Sequence, residues 1–193
     1  MLEQVPRYQK DVNVINHKVT DEYKSIDKIL SLIPKLKVLD IAGAEGYLAW
    51  LAAQHGHSVM NIEIDEGRVL RGRKHFPEIE MRADNIFDNL DILSNYNVYM
   101  VSRFFHNIGY DKSVELMDAI DKQTDYILII KYKPGLVKET GKPREKLATK
   151  KGINDLLEQY GIKKKSFPQQ VIVAARGKYE YIPDTLRSYI REG

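Results

Sequence analysis

Short apolar runs alternate with segments of helical periodicity along most of this 193-residue chain. The runs that predict strands are 37–41, 58–64, 78–82, 97–102, 125–131 and 170–175. Apolar residues at helical spacing predict helices over 20–33, 45–55, 65–75, 112–122, 151–160 and 183–191. Because strands that alternate with helices form mostly parallel sheets with helices on their faces, the sequence predicts an α/β fold.

The length fits one domain, which we expect to span 1–193. Within it we expect an N-terminal arm over 1–19, the core over 20–177, and a tail with a short helix over 178–193. Cysteine is absent, which excludes disulfides, thiolate metal sites and cysteine nucleophiles. No histidine-rich cluster suggests a metal. Without a long apolar run or a secretory leader, we expect a cytoplasmic protein with no membrane contact. The oligomeric state is not indicated.

The strand predicted at 37–41 runs directly into a small-residue turn, Ala-Gly-Ala-Glu-Gly over 42–46, and then into a helix. In open α/β sheets, ligands bind beyond the carboxyl ends of the strands, and small residues let the backbone approach them. The turn matches neither the G-x-G-x-x-G of nicotinamide-binding proteins nor the lysine-containing phosphate loop. It therefore predicts a ligand site of another kind, or a turn that serves only close packing.

Polar residues end the next two strands. Glu63 lies 17 residues after Gly46, where an acid can accept hydrogen bonds from ribose hydroxyls. Asp84 and Asn85 follow the third strand and can reach the edge of an adenine. The three strand ends together predict a nucleoside-containing ligand.

The stretch Val-Leu-Asp-Ile-Ala-Gly-Ala-Glu-Gly-Tyr over 38–47 resembles the first motif of class I S-adenosylmethionine-dependent methyltransferases. Segments 102–108, 129–135 and 171–176 resemble the fourth, fifth and last strands of that family, so the resemblance covers about 36–177. It implies a Rossmann-like, mostly parallel seven-stranded sheet with the last strand antiparallel, and S-adenosylmethionine as cofactor. The cofactor contacts that it implies are Asp40, Ala42, Gly43, Gly46, Tyr47, Glu63, Ile64, Asp84, Asn85 and Ser102.

The turn departs from the family pattern at two positions, where Ala42 and Ala44 replace usual glycines. Alanine costs little where the backbone angle φ is negative and much where it is positive. We expect cofactor binding to survive, with a slightly altered loop.

Methyl transfer from a sulfonium depends mainly on positioning, and a base is needed only if the acceptor must lose a proton. His106 is the best candidate base, or else a contact for the methionine end of the cofactor. Arg103 and Lys131 end the fourth and fifth strands, where they would hold a carboxylate, a sugar hydroxyl or a phosphate, or simply be solvated. Of three tyrosines considered for the pocket, Tyr47 is favoured over Tyr8 and Tyr23.

Segment 131–151 carries eight Lys or Arg against two Glu, and three lysines follow at 163–165. We interpret it as a loop on the substrate side, which covers an anionic substrate, contacts RNA, or is merely solvated. The sequence thus predicts methyl transfer to oxygen or nitrogen of a small or anionic acceptor. The alternatives are an RNA methyltransferase and a non-catalytic methyltransferase-like binding or scaffold protein.

Overall fold

The computed structural model describes residues 23–132, 147 and 149–189. Its strands are β1 Lys37–Ile41, β2 Ser58–Glu63, β3 Glu80–Ala83, β4 Val98–Ser102, β5 Tyr126–Lys131, β6 Lys163–Phe167 and β7 Val171–Arg176. They form one sheet in the order β3-β2-β1-β4-β5-β7-β6. β7 is antiparallel to both of its neighbours, whereas β1 to β5 are parallel. The predicted fold class is confirmed.

Helices cover both faces of the sheet. They are α1 Lys24–Leu32, α2 Tyr47–Gln54, α3 Glu66–His75, α4 Phe105–Ile108, α5 Tyr110–Asp121, α6 Lys150–Gln159 and α7 Ile182–Tyr189. Alternate residues of β5 belong to the two cores: Ile127 and Ile129 pack on the side of α1, α2, α3 and α7, while Leu128 and Ile130 pack on the side of α5 and α6. The two-sided burial explains why the central strands read as continuous apolar runs.

The strand at Lys163–Phe167 was missed by the sequence prediction, which located six of the seven strands. Its sequence, Lys-Lys-Lys-Ser-Phe, has no apolar run because β6 is an edge strand, in which only Phe167 is buried. Lys163 and Lys165 pair with Asp184 of α7, and Lys164 pairs with Glu158 of α6. Lysines on an edge strand also prevent pairing with another chain.

Strand order reverses between β2-β1 and β4-β5, so a crevice opens at the carboxyl ends of these four strands. The turn after β1 and the predicted polar residues after β2, β3, β4 and β5 all lie along this edge. No helix of the described ranges has the length and apolarity to cross a membrane. The arm at 1–19 and most of the basic loop at 131–151, namely 133–146 and 148, fall outside the described residues.

Candidate cofactor and acceptor site

The loop over 42–46 contains two alanines in the left-handed region of backbone space. Ala42 has φ 54° and Ala44 has φ 52°, so both alanines have the positive φ that is costly for a residue with a side chain. A left-handed L-residue costs roughly 1–2 kcal/mol. Gly46, with φ 81°, then leads into α2. The cofactor loop implied by the family resemblance is therefore strained, and something outside it must hold its shape.

Two side chains of β2 hold the loop at Ala44. Glu63 Oε2 accepts a hydrogen bond from the Ala44 N–H at 2.9 Å, and Asn61 Nδ2 donates to the Ala44 carbonyl at 3.1 Å. Asn61 and Glu63 are two residues apart and so share one face of the strand. Sequence reasoning missed Asn61, although an amide between Met60 and Ile62 in a predicted buried strand was a signal that could have identified it.

Asp40 lies beneath the loop with its carboxyl group fully buried. Its Oδ2 accepts a hydrogen bond from the N–H of Ala49 in α2, at 3.2 Å. A Cβ at Gly43 would overlap both Asp40 Oδ2 and Asn61 Oδ1, which explains the glycine at that position. Burial raises the pKa of Asp40 to about 8, and the nearby Glu63 adds to this effect. Asp40 supports the loop from below, so any effect on a ligand passes through the loop.

An apolar cavity of about 250 Å³ opens beside the loop. Its lining residues are Ala42, Ile62, Ile64, Asp84, Asn85, Ile86, Phe87, Phe104 and Ile108. Four of the predicted cofactor contacts meet here, at the ends of three strands. The Ile64 side chain is 70% exposed, which is unusual for a large apolar residue at a strand end. The cavity has the apolar walls and few polar groups typical of a small-molecule pocket.

Aromatic residues that the sequence reasoning missed form one wall of this cavity. The rings of Phe87 and Phe104 stack with centroids 6.3 Å apart. Lys112 Nζ lies 4.6 Å from the centre of the Phe87 ring. Phe87 follows β3 by a 3₁₀ turn and Phe104 follows β4, so only the sheet order brings them together.

The two predicted polar residues after β3 have different surroundings. The Asn85 side chain is engaged within its own turn, where its Oδ1 accepts from Phe87 N–H and its Nδ2 donates to Asp88. Asp84 accepts hydrogen bonds from Asn85 N–H and from Arg82 Nη2, yet its side chain remains 38% exposed. Asp84 therefore presents a partly exposed carboxylate on this wall.

Two cations meet at the carboxyl ends of β4 and β5. Ser102 pairs in register with Lys131, and the Arg103 N–H donates to the Lys131 carbonyl at 2.7 Å. Arg103 has φ 55°, which turns the chain sharply out of β4. Burial and the Arg103 charge lower the pKa of Lys131 to about 8. Lys131 is only 2% exposed, so its interpretation as a solvated strand end is wrong.

Comparisons with known proteins agree with this geometry. No family model matches the chain, and no curated protein matches its sequence. A TehB-like S-adenosylmethionine-dependent methyltransferase from Corynebacterium glutamicum superimposes with a TM-score of 0.62 at 15% identity, over 86% of this chain and 93% of that one. The magnesium protoporphyrin IX methyltransferase of Synechocystis, solved with S-adenosylmethionine bound, gives 0.62 at 17% identity, over 90% and 86%.

The chain has the class I methyltransferase fold. The bifunctional kinase-methyltransferase WbdD also matches, with a TM-score of 0.58 at 17% identity over 88% of this chain. This chain spans about two fifths of WbdD, or 39% of its length. The likeness to all three proteins is one of fold. At these sequence identities it does not indicate which substrate or partner this chain binds.

Within the methyltransferase fold, the remaining predicted residues lie around the same crevice. His106 is half-buried in α4, three residues after Arg103, whose carbonyl accepts from Asn107 Nδ2 at 2.8 Å. Tyr47 begins α2 and is buried, with its ring edge-on to Tyr23 at 5.0 Å and stacked on Trp50 at 5.9 Å.

The ring of Tyr23 also lies 4.9 Å from Lys131 Nζ, so α1 closes over the cationic end of the crevice. Tyr8 lies outside the described residues. In the parts of the chain that the structure describes, no group of three or more His, Asp or Glu side chains is arranged to hold a metal ion.

Proposed function

We propose that this chain is an S-adenosylmethionine-dependent methyltransferase that methylates an oxygen or nitrogen of a small, anionic acceptor. The observation that carries the proposal is the placement of two dissimilar subsites on one sheet edge. The apolar cavity, which Asp84 helps to line, lies beyond β1 to β3, next to Glu63 at the end of β2. The cations Arg103 and Lys131 lie beyond β4 and β5.

The residues of the first subsite fit the nucleoside part of the cofactor. Glu63 accepts one N–H at each carboxylate oxygen, from Ala44 and from Asp65. An ionised carboxylate has about four acceptor positions, so Glu63 retains capacity for the two ribose hydroxyls. The stacked rings of Phe87 and Phe104 and the exposed Ile64 supply flat apolar walls for the adenine.

The second subsite suits an acceptor with a carboxylate or phosphate group. Arg103 would offer the planar fork of donors that matches such groups, and Lys131 a buried point charge. Bound S-adenosylmethionine supplies a methyl group on a positively charged sulfonium. The protein's part is then to orient the acceptor and exclude water. His106, three residues from Arg103, would orient the acceptor or take its proton.

The lysines at 163–165 were one basis for the RNA alternative, and they give it little support. All three form ion pairs with Asp184 or Glu158, so their charge is largely offset within the protein. The scaffold alternative is supported by the strain at Ala42 and Ala44, and a binding measurement separates it from an enzyme.

Calorimetry with S-adenosylmethionine and S-adenosylhomocysteine tests the proposal. We expect binding to the wild type, and Glu63→Ala to weaken it by roughly 1–3 kcal/mol because ribose hydrogen bonds are lost. The exposed Glu78→Ala serves as the matched control and should leave the affinity unchanged. Absence of binding to the wild type at high micromolar ligand would contradict the enzyme assignment, and unchanged affinity in Glu63→Ala would contradict the assigned ribose contact.

A further inference from the structure

Asp40 and Asn61 are neighbours across the parallel pairing of β1 and β2, and both are fully buried. Each has one side-chain oxygen, Oδ1, with no hydrogen-bond partner in the described part of the chain. Their other polar atoms are engaged, because Asp40 Oδ2 accepts from Ala49 N–H and Asn61 Nδ2 donates to the Ala44 carbonyl. Buried oxygens without partners are uncommon and unfavourable.

The two side chains end in the same small space beneath the loop. A Cβ built on Gly43 would overlap Asp40 Oδ2 and Asn61 Oδ1 together, so both oxygens border the space that this atom would occupy. If Asp40 is ionised, neither oxygen has a proton to offer the other. Turning the Asn61 amide over would not help, because its oxygen would then face the Ala44 carbonyl.

A proton on Asp40 resolves both deficits. A neutral carboxyl group has one O–H donor and keeps an acceptor oxygen. Asp40 Oδ2 can then keep the hydrogen bond from the Ala49 N–H, while a proton on Asp40 Oδ1 would be directed to Asn61 Oδ1.

The charged and polar groups around Asp40 also favour the neutral form. Glu63, on the same face of β2 as Asn61, adds like charge. The neighbour in β4 is the apolar Met100, and α2 supplies a backbone N–H. Glu45 of the loop is paired instead with Arg71, at 2.8 Å.

We propose that Asp40 keeps its proton at neutral pH and donates it to Asn61, and that this neutral pair positions the strained cofactor loop. The pair acts at two points, through Asn61 on Ala44 in the middle of the loop and through Asp40 on Ala49 in the first turn of α2. Ionisation of Asp40 removes the bond between them and loosens the loop. Asp40 and Asn61 are thus positioning residues. Only the consequence for cofactor affinity rests on the proposed function.

The ligand-free protein tests the pair directly by ¹³C NMR of the Asp40 carboxyl group. We expect it to titrate near pH 8, in agreement with the raised pKa, and the Ala44 amide signal to shift with the same midpoint. The isosteric Asp40→Asn supplies a permanent donor in place of the O–H. Between pH 5 and pH 9 the wild type should lose stability as the pH rises, because its folded form holds a proton on Asp40 that the unfolded chain has released. Asp40→Asn lacks this loss, so the melting temperature of the variant minus that of the wild type should increase with pH. A carboxyl midpoint below pH 5, or parallel melting curves, would overturn the proposal.

Asn61→Ala reports the direction of the hydrogen bond. Removing the acceptor should lower the Asp40 midpoint, because the protonated form loses its partner. If Asn61 instead donates to an ionised Asp40, the same substitution raises the midpoint and the proposal is wrong. If Asp40→Asn fails to fold, the titrations of the wild type and of Asn61→Ala still test whether Asp40 is protonated and donates to Asn61.

Calorimetry with S-adenosylhomocysteine between pH 6 and pH 9 tests the link to the cofactor. Affinity of the wild type should fall several-fold above pH 8, whereas that of Asp40→Asn should stay level. A level wild-type profile would overturn the positioning role. Absence of binding at every pH, together with an Asp40 midpoint near pH 8, would contradict the proposed function. It would not contradict the neutral pair of Asp40 and Asn61.

Discussion

Glu63 Oε2 and the backbone N–H of Ala44 lie 2.9 Å apart, so the carboxylate assigned to the ribose also stabilises the loop before any ligand arrives. Its second oxygen accepts the N–H of Asp65, the residue that caps α3 through its own bond to Arg68 N–H. One side chain therefore links the loop after β1 to the helix after β2. Such prior ordering lowers the entropy lost when a ligand binds.

Relief of loop strain should stabilise the protein. Ala44→Gly removes the steric penalty at φ 52° but adds backbone freedom to the unfolded chain. The expected net gain is about 0.5–1 kcal/mol in the free energy of unfolding, measured with urea. Ala53→Gly, within α2, is the control and should lose about 1 kcal/mol. A loss of stability in Ala44→Gly would mean that Asn61 and Glu63 already remove the strain.

Acid should weaken the attachment of α1 through His57. This buried ring accepts the Leu36 N–H at Nδ1 and donates from Nε2 to the Leu30 carbonyl, so it must be neutral. Burial lowers the pKa of His57 below that of the unfolded chain. The folded protein then binds fewer protons than the unfolded one, and stability falls as the pH drops below about 6.5.

His57→Gln should cost about 1–2 kcal/mol at pH 7 and reduce the acid dependence of the melting temperature. The exposed His75→Gln should leave both unchanged. An acid slope as steep in His57→Gln as in the wild type would show that another group is responsible.

Alkaline pH should have the opposite effect at Lys131. Its pKa is lowered to about 8 by burial and by Arg103, so the folded protein loses this proton earlier than the unfolded chain. Stability attributable to this group therefore rises as the pH increases from about 8 towards 10.5. Lys131→Met should be more stable than the wild type at pH 7, and its stability should lack the increase between about pH 8 and pH 10.5. Thermal melts from pH 7 to pH 10 measure the difference, and a Lys131→Met variant less stable at pH 7 would contradict it.

The aromatic wall of the cavity should contribute to nucleoside affinity. Phe87→Ala removes the ring that stacks on Phe104, and we expect S-adenosylhomocysteine to bind about 1 kcal/mol more weakly. The exposed Tyr181, remote in sequence from the loop, provides a matched aromatic control through Tyr181→Ala. Equal affinities in the two variants would show that the adenine lies elsewhere.

Apolar periodicity was enough to predict the α/β fold and the strands β1, β2 and β5, because strands buried on both faces are mostly apolar. It failed at β6, where an edge position lets Lys163, Lys164 and Lys165 stay in contact with water and with acidic partners. The short α4 was missed for a similar reason, since four residues carry no period.

The positions of Glu63 and Asp84 at the ends of β2 and β3 were predictable from the apolar runs before them, and their contacts with a cofactor stay predictions. The rest of the site depends on contacts between elements. It was not predictable where several strands contribute a single residue each. Asn61 acts through a neighbouring loop, and the pairing of Phe87 with Phe104 depends on sheet order. The sequence left open whether the backbone at Ala42 and Ala44 is left-handed, because its support comes from side chains of a different strand.

The support of Ala44 by β2 means that the shape of residues 42–46 is not a property of that segment. Transplanted alone into another α/β protein, the five residues would relax to right-handed or extended backbone. Transplanted with Asn61 and Glu63, they would keep their turn. The unit that can be inherited or engineered is therefore a two-strand module, and substitutions in the loop and in β2 should be expected to occur together.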